Sequence, residues 1–167
     1  MAPMKAGRAV VEALRADGVE YTFGVLGSTT NSIVTEMYGR SDIRFVDTRH
    51  DEGAAFMAYG DARASGKPTA CLTTSGLGTT NLITGIALAS KGRAPVFVIA
   101  GDVARDFIYR DGRQAFDLVG LFKPVTKLAL QVNKTERIPE MLHYAFRAAL
   151  SDKCGRVFLD IPLGTTG

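Results

Sequence analysis

Long apolar runs and clustered charge are both missing from this chain of 167 residues. No apolar stretch approaches the roughly 18 residues that a membrane-spanning helix needs. Met1-Ala2-Pro3-Met4-Lys5 lacks the apolar core of a secretory leader. Lys and Arg are scattered, with no run of five or more, and the formal net charge is only +3, which argues against a nucleic-acid surface. Cysteine is scarce. Cys71 and Cys154 stand far apart in strand-like segments, with no CxxC pair and no Cys/His cluster of metal-ligand spacing. They read as buried free thiols in a cytoplasmic domain without a metal of its own. The composition, 46% hydrophobic and 22% charged, excludes disorder, and the length suits one domain with a real core.

The periodicity alternates between helix and strand. Ala6 to Ala16 carries Val10, Val11 and Leu14 at helical spacing and ends before Gly18. Tyr21 to Leu26 reads as a short buried strand, Gly27-Ser28 as a turn, Asn31 to Met37 as a helix and Ile43 to Val46 as a second strand. The alanine-rich segment from His50 to Ser65 predicts a helix stopped by Gly66-Lys67-Pro68. Thr69 to Thr73 is a third strand, Asn81 to Ser90 a helix, and Pro95 to Ala100 an apolar run suited to a strand covered on both faces. Residues 101–122, with Asp102, Arg105, Asp106, Arg110, Asp111 and Arg113, predict a polar irregular loop, and a loop of that length usually has a task. Val125 to Leu130 follows as a strand. A helix runs over Ile138, Met141, Leu142, Ala145, Phe146 and Ala149 with Thr135 as its cap, and Arg156 to Ile161 closes as a strand before Pro162. This alternation predicts a three-layer α/β/α domain with a mostly parallel sheet of about six strands.

Ligands gather at the carboxyl ends of such strands, and three strand-to-helix turns carry suggestive residues there. Gly24-Val25-Leu26-Gly27-Ser28 allows backbone to approach a ligand, or is simple turn chemistry. His50-Asp51-Glu52 places two carboxylates in a first helical turn, where they complement the helix dipole. The small residues Gly53-Ala54-Ala55 that follow would let another surface pack close to those acids. In Thr73-Thr74-Ser75-Gly76-Leu77-Gly78-Thr79-Thr80-Asn81, Asn81 takes the third glycine place of a dinucleotide fingerprint and no Walker lysine follows. That turn suits either an anion or a flat heterocycle.

Taken in order, these motifs resemble the N-terminal pyrimidine-binding domain of thiamine-diphosphate enzymes, of the acetolactate synthase and 2-oxo-acid decarboxylase group. The matching elements run nearly end to end: Gly24-Val25-x-Gly27, Arg49-His50-x-x-Gly53-Ala54-Ala55, Ala62-Arg63-Ala64-x-Gly66-Lys67-Pro68, Thr74-Ser75-Gly76-x-Gly78-x-Thr80-Asn81, Ala115-Phe116, Lys123-Pro124-Val125-Thr126-Lys127 and Leu159-Asp160-Ile161-Pro162. The resemblance implies a homodimer whose cofactor, thiamine diphosphate, lies between this domain and a separate diphosphate-binding domain or subunit that holds Mg²⁺. It implies a lyase or carboligase acting on 2-oxo acids, with this domain helping to form the C2 ylid at a dimer interface. A family glutamate that engages the pyrimidine falls at Asp51, beside Glu52. Gly24, Val25, Leu26 and Gly27 would line the ring, together with Thr74, Ser75, Gly76, Leu77, Gly78 and Asn81. His50, Phe116 and Lys127 would face the substrate.

The departures are specific. Aspartate is shorter than glutamate by one C–C bond, about 1.5 Å. Either the helix start moves inward, or Glu52 reaches the ring, or proton relay is impaired. Leu26 and Leu77 replace prolines, Asp102 replaces a glutamine, and Asp117 follows a shortened Phe116 motif. No Gly-Asp-Gly…Asn run for a diphosphate is present, so residues 1–167 are expected to be a single pyrimidine-binding domain, without the diphosphate-binding and middle domains. A non-catalytic dimerising domain and a phosphate-ligand binder are the competing expectations.

Overall fold

Burial on both faces is what the apolar strands demand, and the chain meets it with helices on each side of one sheet. The computed structural model describes residues 4–107, 110, 112, 114–162 and 164. Six strands pair in the order β2-β1-β3-β4-β6-β5, parallel throughout. They are β1 (Tyr21–Gly24), β2 (Arg44–Asp47), β3 (Thr69–Thr73), β4 (Val96–Asp102), β5 (Leu128–Gln131) and β6 (Val157–Pro162). The expected three-layer architecture and strand number are therefore present.

One face is covered by α1 (Ala6–Ala16), α2 (Asn31–Met37) and α7 (Ile138–Leu150), whose apolar stripes close on Leu72, Phe97, Ile99 and Leu159. Phe97 lies against Phe146 of α7 with ring centroids 3.8 Å apart. The other face is covered by α3 (Asp51–Ser65), α5 (Ile83–Gly92) and α6 (Leu118–Phe122), packed on Cys71, Val98, Ala100 and Phe158. Phe122 stacks on Phe158 at 4.1 Å and fastens α6 to β6. Gly66 ends α3 in the left-handed conformation, φ 72°, where glycine carries no Cβ penalty.

The boundaries correct several sequence expectations. The helix expected from Asn81 begins earlier, as the short α4 (Leu77–Asn81), because Gly76 at φ 64° turns the chain and its carbonyl accepts from Thr80 N–H at 2.9 Å. The ladder then slips at Leu82, whose N–H bonds Thr79 three residues back, and α5 resumes. Residues 101–122 are not one loop: β4 continues through Asp102, a 3-10 turn covers Arg105–Phe107 and α6 closes the stretch. Asp111 and Arg113 lie outside the described residues. Pro124 sits in a 3-10 turn, Lys123–Val125, so β5 starts later than expected. Thr135 opens a 3-10 turn ahead of α7, which Arg137 rather than Thr135 precedes. Cys71 is a buried free thiol, whereas Cys154 is half-buried between α7 and β6 and not in a strand.

Candidate functional site

The connection leaving β1 runs to β2 on one side of it, and the chain then crosses to β3 and β4 on the other. Connections diverge between β1 and β3, and in an open parallel sheet that divergence leaves a crevice at the carboxyl edge. Gly24 ends β1 and Thr73 ends β3. Thr29 and Thr74 join the two turns through their hydroxyls, 3.0 Å apart. Thr48 fixes the other flank, its N–H and hydroxyl both donating to the Gly24 carbonyl at 2.8 and 3.0 Å.

Asp51 is the acid of this crevice. It opens α3, is only 7% exposed, and its Oδ1 accepts from the Thr73 hydroxyl at 2.7 Å. Burial pushes its carboxyl above the ordinary range, while the Thr73 bond pulls in the opposite direction. A Cβ on Gly78 would crowd the Thr73 hydroxyl at 2.9 Å and touch Asp51 Oδ1 at 3.4 Å, so glycine lets the start of α4 lie close against this pair. Ser75 and Gly78 are buried and Leu77 is exposed. The Ser75 hydroxyl contacts Gln114 Oε1 at 3.4 Å.

Other predicted residues occupy different places. Glu52 is half-buried and donates its N–H to His50 Nδ1 at 3.2 Å; exposed His50 is thus the N-cap of α3. His50→Ala is expected to cost roughly 1 kcal/mol of stability, read as a lower urea midpoint with an unchanged slope. Val25 and Gly27 are half-buried and Leu26 is exposed, all in the turn after β1, while Asn81 is exposed at the end of α4. Phe116 is exposed and lines a second hollow, a cavity of about 780 Å³ over β4, β6 and β5. Lys127 is not at this edge. It immediately precedes β5 at the sheet's amino edge, where its Nζ donates to the carbonyls of Ser151 and Lys153 at 2.9 and 3.0 Å.

Thr73, which the sequence placed at the end of a strand and at the head of the turn to Asn81 but gave no role of its own, proves to be the partner of Asp51. Strand alternation carried the signal, since Cys71 and Thr73 share the face that α3 covers.

The sequence model of the thiamine pyrophosphate enzyme N-terminal domain, described as the TPP-binding domain, matches residues 4–121. The chain belongs to that family. Within the thiamine pyrophosphate enzymes, the chain is 42% identical over 159 residues to a probable acetolactate synthase large subunit of Methanocaldococcus jannaschii, covering 95% of this chain and 27% of the relative. To the acetolactate synthase isozyme 2 large subunit of Escherichia coli it is 40% identical, covering 95% of this chain and 29% of the relative. The chloroplastic acetolactate synthase of Arabidopsis thaliana matches at 39%, over 96% of this chain and 24% of the relative. This N-terminal domain therefore spans about a quarter of the length of the relatives it matches. Among the described residues no helix is long and apolar enough to cross a membrane, and no cluster of His, Cys, Asp and Glu is arranged to hold a metal ion.

Proposed function

We propose that this chain is the pyrimidine-binding component of a thiamine-diphosphate-dependent lyase or carboligase acting on 2-oxo acids, working in the cytoplasm. The observation that carries the reading is the Asp51 carboxyl, drawn into the β1/β3 crevice and bonded to Thr73. A basic ring nitrogen needs such a partner: an acid shielded from water, where its charge is felt strongly, and flanked by glycine. The residues fit the cofactor in that sense, with Asp51 and Thr73 on one wall and the Gly24–Gly27 and Thr74–Gly78 turns beside them. Glu52 draws less support: it is more exposed than Asp51 and, among the described residues, has no hydrogen bond to Thr73 like that of Asp51. Of the three ways to accommodate aspartate, inward placement of Asp51 is the one the burial supports.

When bound, thiamine diphosphate supplies the nucleophilic carbon that attacks a 2-oxo acid. The chain's part is to accept and hold a proton at the Asp51 carboxylate, to keep that group oriented through Thr73, and to shield it from water. The Thr73 bond favours the ionised form, so Thr73→Val is expected to move the acidic limb of the exchange profile to higher pH. A pH profile of C2 proton exchange checks this; an unmoved limb would separate Thr73 from the relay.

Diphosphate and Mg²⁺ are assigned to a separate domain or subunit. A second copy of this chain is assigned to the face formed by α3 and α5, where the large apolar side chains of Phe56, Met57 and Leu88 are exposed and a cover would bury them. Light scattering is expected to give a dimer. A phosphate ligand at Gly76-Leu77-Gly78 draws less support, because α4 has only five residues and offers little dipole. The direct test mixes the chain with a diphosphate-binding partner, thiamine diphosphate and Mg²⁺. Exchange of the C2 proton no faster than in free cofactor would sink the catalytic reading.

A further inference from the structure

Outside the Asp51 crevice, two acids stand beneath the second hollow. Asp160 of β6 and Asp102 of β4 both line the cavity. The register pairs Ala100 with Asp160 and Asp102 with Pro162, so the two acids leave the same face of neighbouring strands as a diagonal pair. That face is the one covered by α6, because Ala100 and Phe158 belong to its core. One oxygen of each acid is held by a neutral donor: Gln131 Nε2 donates to Asp160 Oδ2 at 2.7 Å, and Val103 N–H donates to Asp102 Oδ1 at 2.7 Å. Asp160 is 1% exposed, and its Oδ1 has no hydrogen-bond partner among the described residues.

A buried carboxylate oxygen without a donor is costly, and two ionised carboxylates side by side repel. One proton removes both penalties, since it supplies the missing donor and cancels one charge. We propose that Asp102 and Asp160 share a single proton near neutral pH, and that this proton sets the position of the Phe116–Leu118 wall of the cavity.

The surrounding groups agree. Burial, and then the Asp102 charge, push Asp160 up to about 8, against the pull of Gln131; Asp117 adds a further upward push. Burial also raises Asp102, opposed by its Val103 bond. Asp117 is the N-cap of α6, its Oδ1 accepting from Gly120 N–H at 2.8 Å. The cations on the cavity wall are Arg110 and Lys123. Loss of the shared proton adds a negative charge that both Asp102 and Asp117 oppose. The far end of α6 is fastened by Phe122 on Phe158, so the displaced end is the one that carries Phe116. Asp160 holds its proton in the folded protein and has lost it in the unfolded chain above an ordinary carboxyl value of about 4. The stabilisation is therefore complete below about 4, declines as pH rises, and is gone once pH passes about 8.

The test uses the unaltered chain first. Carboxyl carbon resonances followed by NMR are expected to show Asp160 titrating with a midpoint near 8, and Asp102→Asn should lower that midpoint by more than about one unit. The chain has no tryptophan, so Phe116→Trp places a single indole on the wall. Its emission maximum should shift with the same midpoint as the Asp160 resonance, and should stay constant in Phe116→Trp/Asp160→Asn. Titration of Asp160 in the ordinary range near about 4 would overturn the shared proton. A constant emission maximum in a chain whose Asp160 titrates near 8 would overturn its control of the wall. Both readouts stand on Phe116→Trp and the unaltered chain even if the double variant does not fold.

Discussion

Asp51→Ala is expected to slow C2 proton exchange by about a hundredfold or more in the reconstituted complex, the scale of a lost acid–base group. The size follows from where the carboxyl sits. Asp51 is 7% exposed and bonded to Thr73, so an acid lost from the crevice leaves a space that water fills without the same charge or orientation. Misplacement of a catalytic group by about 1 Å costs on a similar scale, which makes Asp51→Glu the informative companion. Glutamate adds one C–C bond of reach, about 1.5 Å, and restores the longer acid that the family resemblance expects at this position. Asp51→Glu is therefore expected to keep exchange at least equal to that of the natural chain. Full exchange in Asp51→Ala would remove Asp51 from the relay, and Glu52→Gln would then identify the neighbouring acid.

Gly24→Ala is expected to cost about 3 kcal/mol or more, the upper range for forcing extra atoms into a packed interior. Gly24 is the last residue of β1 and its partner across the ladder is Leu72. A Cβ there would run into the Leu72 carbonyl oxygen and crowd the Phe45 ring. The first obstacle is backbone in a fully buried strand, which cannot swing aside as a side chain tip would. Either β1 separates from β3 or the turn after Gly24 is displaced, and both would open the crevice. Urea unfolding monitored by circular dichroism reads the loss; a change below about 1 kcal/mol would show that the strands yield more easily than close packing allows.

The sheet was legible because its strands are buried on both faces. Continuous apolar runs such as Val96–Ala100, set between amphipathic helices, leave few alternatives to a parallel sheet. The Asp51 turn was legible as a motif, and its position at a helix start followed from the alanine-rich segment behind it. What remained hidden were facts of tertiary register. Lys127 was expected near the substrate, yet the late start of β5 after the Pro124 turn leaves it at the opposite edge. Nothing local in Lys123–Lys127 reports which end of the sheet it will reach. The α6 helix within residues 101–122 was masked by the polar residues before it, and its five residues are too few to show a period. The Asp102–Asp160 pair lies 58 positions apart in sequence and meets only because β6 inserts beside β4.

That insertion also bears on how the chain is made. During synthesis β1, β2 and β3 have all their neighbours once β4 has emerged, so this half of the sheet is free to assemble as it leaves the ribosome. β5 emerges next with nothing to pair with, because among the described residues its neighbour is β6 alone. Until Val157–Pro162 is complete, β4 presents a bare edge and β5 waits unpaired, both exposed to intermolecular strand pairing. The last of these six strands to be translated is thus the one that makes this sheet whole.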